Sequence, residues 1–357
     1  MSSTIPEKMQ AVIFKKPYQV AVEDVPTPKI QDESDIILKV HLAGLCGSDL
    51  HLYRGHEDCG KDYTLGHEVV GTIVEKGKQV EKFNLGDVVA VPFTVSCGEC
   101  WYCNSSHTAR CKHSQLFGTP NLQGCQAEYV RIPLADGCVF KKPDQLPDEL
   151  MLLMADILPT GYSAAANARA LLDGPTQEKS IKDDVCVVIG CGPVGLCAIS
   201  SALTMFSKVY ATDLTASRLT LASKHGAIAL PSSELKAAVL EATDGRGADA
   251  VLEVVGHEGA LLTALDIVRP YGAVSSVGVH SQIIKLNGGA LYDKNVKFQF
   301  GRCSVRTFYA AALEVLSANQ DLFKSFIEHK VGFSQAEEYY ALFEKNKVAK
   351  TVFVPGQ

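Results

Sequence analysis

The chain has 357 residues, of which 46% are hydrophobic and 21% charged, with a formal net charge of −6. That length exceeds one ordinary core and suits two domains with a cleft between them, and the composition excludes disordered, fibrous and collagen-like chains. The acidic balance argues against general attraction to nucleic acid or anionic membranes and leaves small-molecule chemistry.

The segment Met1-Ser2-Ser3-Thr4-Ile5-Pro6-Glu7-Lys8 has no apolar core of a secretory signal, and Pro355-Gly356-Gln357 is no peroxisomal tag, so a cytoplasmic location is expected. Twelve cysteines in a large chain of this kind point to metal binding and redox chemistry rather than to bridges. Gly- and Pro-bounded runs such as Gln10–Phe14, Asp35–Val40 and Asp87–Val91 predict strands, and with them a β-rich domain over about the first 150 residues. Two metal-capable residues stand among them, Cys46 in Gly44-Leu45-Cys46-Gly47-Ser48-Asp49-Leu50-His51 and His67 in Gly66-His67-Glu68. Neither reads as a metal site by itself, since a single Cys is more often a small buried hydrophobe and a single His a satisfied polar residue. Ser48 also fits a turn or helix cap, His51 a surface helix position, and Glu68 ordinary packing.

Next comes Cys97-x2-Cys100-x2-Cys103-x7-Cys111, four soft ligands on one loop with chelate spacing. Such a set closes a tetrahedral structural zinc site with no open position. The competing readings are a pair of disulfides, unrelated buried thiols, or a nucleic-acid zinc ribbon. The ribbon needs a basic element, whereas this loop holds Glu99 with only Arg110 and Lys112 nearby.

From Val185 the pattern changes to apolar strands alternating with helices: Val185–Ile189, Lys208–Asp213, Ala250–Val255 and Ala273–Val277 predict a parallel sheet covered on both faces. The uncharged run Val185–Ser207 is long enough to span a bilayer, but Gly190, Gly192, Pro193 and Gly195 interrupt it. They form Gly190-Cys191-Gly192-Pro193-Val194-Gly195, which follows a strand and opens a helix, the setting in which a helix N-terminus holds a pyrophosphate. Eighteen residues beyond Gly195, Asp213 ends the next strand, where a carboxylate accepts ribose hydroxyls and repels a 2′-phosphate; the plainer alternative is a helix cap. Phe308–Leu316 and Ala336–Phe343 read as helices and Ala349–Val354 as a last strand.

The run Gly66-His67-Glu68-Val69-Val70-Gly71, with Gly77 and Val80 beyond it, the four-cysteine loop and the nucleotide fingerprint occur in an order that resembles the zinc-containing medium-chain dehydrogenase/reductase family, alcohol dehydrogenase type, over nearly the whole chain. The resemblance implies an α/β protein with an N-terminal GroES-like β-rich catalytic domain (1–157), a Rossmann doubly wound parallel-sheet domain for NAD (158–302), and a C-terminal return to the catalytic domain (303–357). It implies two zinc ions per chain, one catalytic and one structural. It carries the catalytic-zinc ligands onto Cys46 and His67, with Glu68 behind the metal, and a proton relay onto Ser48 and His51. Thr160 matches a nicotinamide-side threonine, and Arg218 a basic residue near the adenosine ribose. Val255, Val277 and Val279, in Val254-Val255-Gly256 and Val277-Gly278-Val279, match strand ends under the nicotinamide. Phe93 and Leu116 match pocket-lining positions.

The departure is at the third ligand. Where many alcohol dehydrogenases have Cys, this chain has Asp156, four residues before Thr160, as do bacterial secondary-alcohol and glutathione-independent formaldehyde dehydrogenases. Asp156 can instead cap the helix that follows. The expected activity is NAD-linked interconversion of a small alcohol with its aldehyde or ketone, with no nucleic acid or membrane partner. The alternatives are a formaldehyde dehydrogenase or dismutase, a polyol dehydrogenase, or a non-catalytic NAD(H)-binding structural or redox-sensing protein. The loop Arg54–Asp62, with His56, Glu57 and Cys59, is expected at the substrate entrance, and a homodimer or homotetramer is expected through a sheet edge near Leu286–Phe300.

Overall fold

The computed structural model describes residues 5–55, 60–173 and 183–357. His56, Glu57 and Cys59 of the expected entrance loop lie outside the described residues. The chain divides into two compact units, Met1–Asp156 with Ser304–Tyr309 and Phe323–Gln357, and Ile157–Cys303 with Ala310–Leu322.

The first unit is built on two sheets. One has the order Gln19–Pro26, Lys8–Lys16, Tyr63–Thr64; the other runs His329–Val331, Thr351–Phe353, Ile36–Leu45, Val69–Lys76, Val88–Val91, Phe140–Lys141, with Tyr129–Ile132 also on Ile36–Leu45. Ile36–Leu45 is buried on both faces, which is why it reads as a nearly continuous apolar run and not as an alternation. Its antiparallel pairing with Val69–Lys76 matches Ala43 to Val69. The end of the first strand therefore lies beside the start of the second, and Cys46 is delivered next to His67. Close approach here requires Gly71, where a Cβ would stand 2.4 Å from the Lys39 carbonyl oxygen.

The second unit has one parallel sheet in the order Ile228–Ala229, Lys208–Thr212, Val185–Ile189, Ala248–Glu253, Val268–Ser276, Lys297–Phe300. That is the doubly wound 3-2-1-4-5-6 order, whose switch point falls between Val185–Ile189 and Ala248–Glu253, outside the carboxyl ends of the strands. The uncharged run resolves into the fully buried strand Val185–Ile189 and the helix Pro193–Ala202, and among the described residues no helix is long and apolar enough to cross a membrane. Three of the parallel strands end earlier than predicted, with Val277 lying beyond the strand Val268–Ser276. Val254 and Val255 leave the sheet because the N–H groups of Val255 and Gly256 turn onto the Glu253 carboxylate, at 2.9 and 2.8 Å. Asp213 likewise follows the strand Lys208–Thr212. The helices expected at Phe308–Leu316 and Ala336–Phe343 are Val305–Ala318 and Ala336–Glu344, and the last strand is Thr351–Phe353.

Candidate metal centres and dinucleotide site

Cys97, Cys100, Cys103 and Cys111 come together in the first unit, with ligand atoms all within 4.8 Å of one another. Sulfur separations of 3.6 Å (Cys100–Cys103 and Cys97–Cys111), 3.8 Å (Cys100–Cys111) and 4.0 Å (Cys97–Cys103) match the ~3.8 Å edge of a tetrahedron with zinc–sulfur bonds of about 2.3 Å. Four sulfurs share one centre, which is the arrangement of a chelate and not of two bridged pairs. Backbone N–H groups of Cys97 and His113 point at the Cys111 sulfur and that of Cys100 at the Cys97 sulfur, each at 3.3 Å. Such donors favour thiolates. Backbone donors from Cys103 and Lys112 hold the Cys100 thiol down at about 6, whereas burial pushes Cys103 up to about 12 and raises Cys111. Without a cation, four crowded thiols cannot all ionise.

Cys46, His67, Glu68 and Asp156 form the second group of potential ligands in that unit. The Asp156 carboxylate lies 3.8 Å from the Cys46 sulfur and 3.5 Å from His67 Nε2, again tetrahedral edges for bonds of about 2.0–2.3 Å. Asp156 arrives by way of Ala155, whose carbonyl accepts the Phe93 N–H at 3.1 Å. His67 Nδ1 lies 3.0 Å from Asp49 Oδ1, so the ring donates on that side and directs its Nε2 lone pair at the other ligands. Asp49 Oδ2 accepts the Cys46 N–H at 3.0 Å and so steadies both residues. Glu68 sits deeper, 1% exposed against 6–8% for Cys46, His67 and Asp156, and its Oε2 is paired with the buried ammonium of Lys350. Gly44 makes room for it, since a Cβ there would lie 1.8 Å from Glu68 Oε2.

The electrostatics of this cluster follow from burial and proximity. Burial and the Glu68 carboxylate push the Cys46 thiol up, against the pull of His67 and Lys350. Burial disfavours the imidazolium of His67, but Asp49, Asp156 and Cys46 together outweigh it and raise the ring well above 6.5. A divalent cation bound here would displace protons from these donors.

Ser48 is exposed at the cap position of the short helix Asp49–Tyr53, makes no side-chain cap bond, and has its hydroxyl 4.0 Å from the Cys46 sulfur. His51 lies half-buried in that helix. Phe93 stands edge-on to His67, ring centres 6.4 Å apart, and half-buried Leu116 bridges to Thr94 beside it. The structure therefore gathers Cys46, His67, Glu68, Asp156, Ser48 and Phe93 around one centre. Sequence reasoning missed Asp49 and Lys350; Lys350 is 282 residues from its partner and carries no local signature.

In the second unit, Gly190 has φ +96° and Gly195 packs so closely that a Cβ would lie 1.9 Å from the Gly190 carbonyl oxygen. The loop thus folds onto itself and opens the helix Pro193–Ala202, capped at Gly192 with Pro193 and Val194 in its first turn. Asp213 Oδ2 accepts the Cys191 N–H and Oδ1 the Thr215 N–H, both at 2.8 Å, and Arg218 stands 3.7 Å away. The helix cap position falls on Thr215, not Asp213. Each carboxylate oxygen keeps a further lone pair for a hydroxyl. Thr160 lies half-buried in the first turn of Ile157–Leu172. Val255 and Val279 are about half exposed at the strand ends, with Val277 between, and the two loops interlock where a Cβ on Gly278 would meet the Gly256 nitrogen at 2.1 Å. Glu253, wholly buried, anchors the first of these loops and is held by Ser276 at 2.6 Å and His280 at 3.1 Å, a cluster the sequence did not announce.

A β-rich unit carrying a Cys/His/carboxylate cluster and a four-thiol chelate, followed by a Rossmann sheet, is the architecture of a zinc-dependent dehydrogenase. The family model for the alcohol dehydrogenase GroES-like domain matches residues 32–144, and that for the zinc-binding dehydrogenase domain residues 193–318. The chain is 49% identical to zinc-type alcohol dehydrogenase B of Aspergillus flavus over 98% of its own length and 82% of that protein. It is 50% identical to a medium chain reductase/dehydrogenase of Acremonium sp, over 81% of this chain and 99% of that one. The solved alcohol dehydrogenase of Thermus sp. ATN1 superposes with a TM-score of 0.89 at 34% identity, covering 97% of this chain and all of that one. The chain belongs to the zinc-containing medium-chain dehydrogenase/reductase family, alcohol dehydrogenase type, and has its GroES-like and Rossmann-like domains.

Proposed function

We propose that the chain is a zinc-dependent, NAD-linked alcohol dehydrogenase acting on a small alcohol and its aldehyde or ketone. The observation that carries this reading is the buried cluster in which Cys46, His67 and Asp156 stand at tetrahedral spacing while Glu68 is drawn back onto Lys350. Three protein ligands leave one position open, the arrangement of a catalytic and not a structural site. When bound, zinc supplies Lewis acidity toward a substrate oxygen, and NAD accepts the hydride.

The protein's own residues supply the rest. The Cys46 thiolate and Asp156 carboxylate balance the charge of Zn²⁺ and Lys350 cancels Glu68, while the Asp49 carboxylate stands behind His67 as a further buried anionic group. Ser48 accepts the substrate hydroxyl proton as it gives up its own, and His51 delivers a proton to solvent. Phe93 and Leu116 give the substrate an apolar wall. In the segment 158–302, the loop Gly190–Gly195 holds the pyrophosphate at its helix N-terminus, Asp213 and Arg218 take the adenosine ribose, and Thr160, Val255, Val277 and Val279 contact the nicotinamide. Cys97, Cys100, Cys103 and Cys111 hold a second, structural zinc. The segments 1–157 and 303–357 supply the catalytic domain, apart from Ala310–Leu322, which packs with the second unit, and the sheet edge near Leu286–Phe300 joins copies into a dimer or tetramer in the cytoplasm.

The test is a panel of primary, secondary and polyhydric alcohols with matching aldehydes, formaldehyde included, followed by NADH absorbance on protein assayed for metal. Two zincs per chain and turnover of at least one pair are expected. Cys46→Ser is expected to lose turnover with its fold intact, and Cys100→Ser to lose thermal stability or soluble yield. Tight NADH binding without turnover of any pair would instead make the chain a non-catalytic NAD(H)-binding protein.

A further inference from the structure

We propose that Gln126 and Tyr340 are positioning residues for the Cys46–His67–Asp156 cluster, acting through Gly44 and Asp49. The inference rests on the zinc reading above. Gln126 and Tyr340 are both wholly buried, and Asp49 is 1% exposed. A primary amide in a core brings two donors and an acceptor that all need partners, and here each finds one. The Tyr340 hydroxyl donates to Gln126 Oε1 at 2.8 Å, and Gln126 Nε2 donates to the Gly44 carbonyl at 3.0 Å and, at the long end of bonding, to Asp49 Oδ2 at 3.5 Å. Burial holds the Tyr340 phenol well above its usual pKa, so it stays a donor.

The two acceptors are the points from which the ligands hang. Gly44 stands two residues before Cys46, and its N–H donates to the Glu68 carbonyl at 2.9 Å. Asp49 holds the Cys46 N–H and the His67 ring. The backbone of Gln126 is tied to the approach to His67 as well: its N–H donates to the Leu65 carbonyl and that of Cys125 to the Gly66 carbonyl, both at 2.9 Å. Gly66 is required for this contact, because a Cβ there would lie 2.5 Å from Gln126 Cγ. One residue thus ties the strand end that carries Cys46, through its side chain, to the loop that carries His67, through its backbone. An apolar side chain of equal size would fill the space but leave the Gly44 carbonyl without its donor.

Direct partners of a ligating histidine change metal affinity about 10–100-fold when removed. One step further out, Tyr340→Phe is expected to speed zinc loss about threefold to tenfold, and Gln126→Glu, which sets a carboxylate against Asp49, more. Release into excess chelator is followed for the parent, Cys46→Ser, the two variants, and Tyr53→Phe, which removes the hydroxyl of another buried tyrosine of the same core. The phase missing from Cys46→Ser identifies the catalytic site. The proposal predicts faster release in that phase alone, unchanged rates from the four-cysteine site, no effect of Tyr53→Phe, and shifted d–d bands in cobalt-substituted Gln126→Glu. Should Gln126→Glu fail to fold, Tyr340→Phe decides. Folded variants releasing zinc within twofold of the parent overturn this proposal and leave the zinc reading standing. A parent with no phase sensitive to Cys46→Ser overturns both.

Discussion

Replacing Lys350 with Met tests whether the ion pair behind the candidate zinc site is real. Lys350 is 3% exposed, its ammonium paired with Glu68 Oε2 and donating to the Leu45 carbonyl at 3.3 Å. Burial disfavours that charge, but Glu68 and Cys46 outweigh it and hold the lysine above its ordinary value. Glu68 is already raised by burial despite Lys350, and its Oε1 has no hydrogen-bond partner among the described residues. Lys350→Met therefore strips the buried Glu68 carboxylate of its ion-pair partner. Breaking such a buried pair costs about 3–5 kcal/mol, which at ~2–4 °C per kcal/mol corresponds to a melting-point drop of about 6–20 °C. In the variant the folded pKa of Glu68 rises further above its unfolded value of 4.5. The cost is then absent below that value, grows as pH rises toward the folded pKa, and is constant above it. Calorimetry of zinc-loaded protein from pH 5 to 8 reads this directly, and the double variant Lys350→Met/Glu68→Gln is expected to recover most of the loss. A single variant melting within about 2 °C of the parent at pH 8, or a double variant no better than the single, would refute the reasoning.

Asp156→Asn removes one of the three anionic ligand candidates and is expected to weaken zinc retention and turnover, while Asp156→Cys keeps metal and some activity; normal zinc and turnover in Asp156→Asn would place the third ligand elsewhere, with Glu68 first in line. Asp213→Gly is expected to narrow a preference for NAD over NADP, and equal specificity constants for the two cofactors in the parent would show that this carboxylate does not face the ribose. His51→Gln is expected to slow alcohol oxidation most at low pH, with partial rescue by small buffers, and an unchanged pH profile removes His51 from the relay. His225, 6% exposed with its ring on the Ser200 hydroxyl at 2.8 Å, is depressed by burial from 6.5 to about 4. The native ring resists a proton that the unfolded chain accepts, so stability is full above 6.5 and falls by about 3 kcal/mol at most as pH drops toward 4. His225→Gln is expected to flatten urea-denaturation midpoints across that window, and an unchanged slope would contradict it.

By itself the sequence determined what is encoded locally. The intervals Cys97-x2-Cys100-x2-Cys103-x7-Cys111 bring four sulfurs together on one loop, because chelate geometry depends on short spans of backbone. The same holds for the glycines at 190, 192 and 195 after an apolar strand, and for Asp213 at the end of the next one. Only the tertiary structure decided which distant residues share a centre. Cys46 and His67 meet because Ala43 pairs with Val69, and Asp156 joins them through the Phe93–Ala155 bond. Lys350 reaches Glu68, and Tyr340 reaches Gln126, because the C-terminal segment returns as the strand Thr351–Phe353 beside Ile36–Leu45, with Tyr340 in the core shared with Leu45 and Phe353. Sheet register and burial set those meetings, and both depend on partners tens to hundreds of residues away, so the charge on Lys350 and the amide of Gln126 acquire their meaning only when the core closes around them.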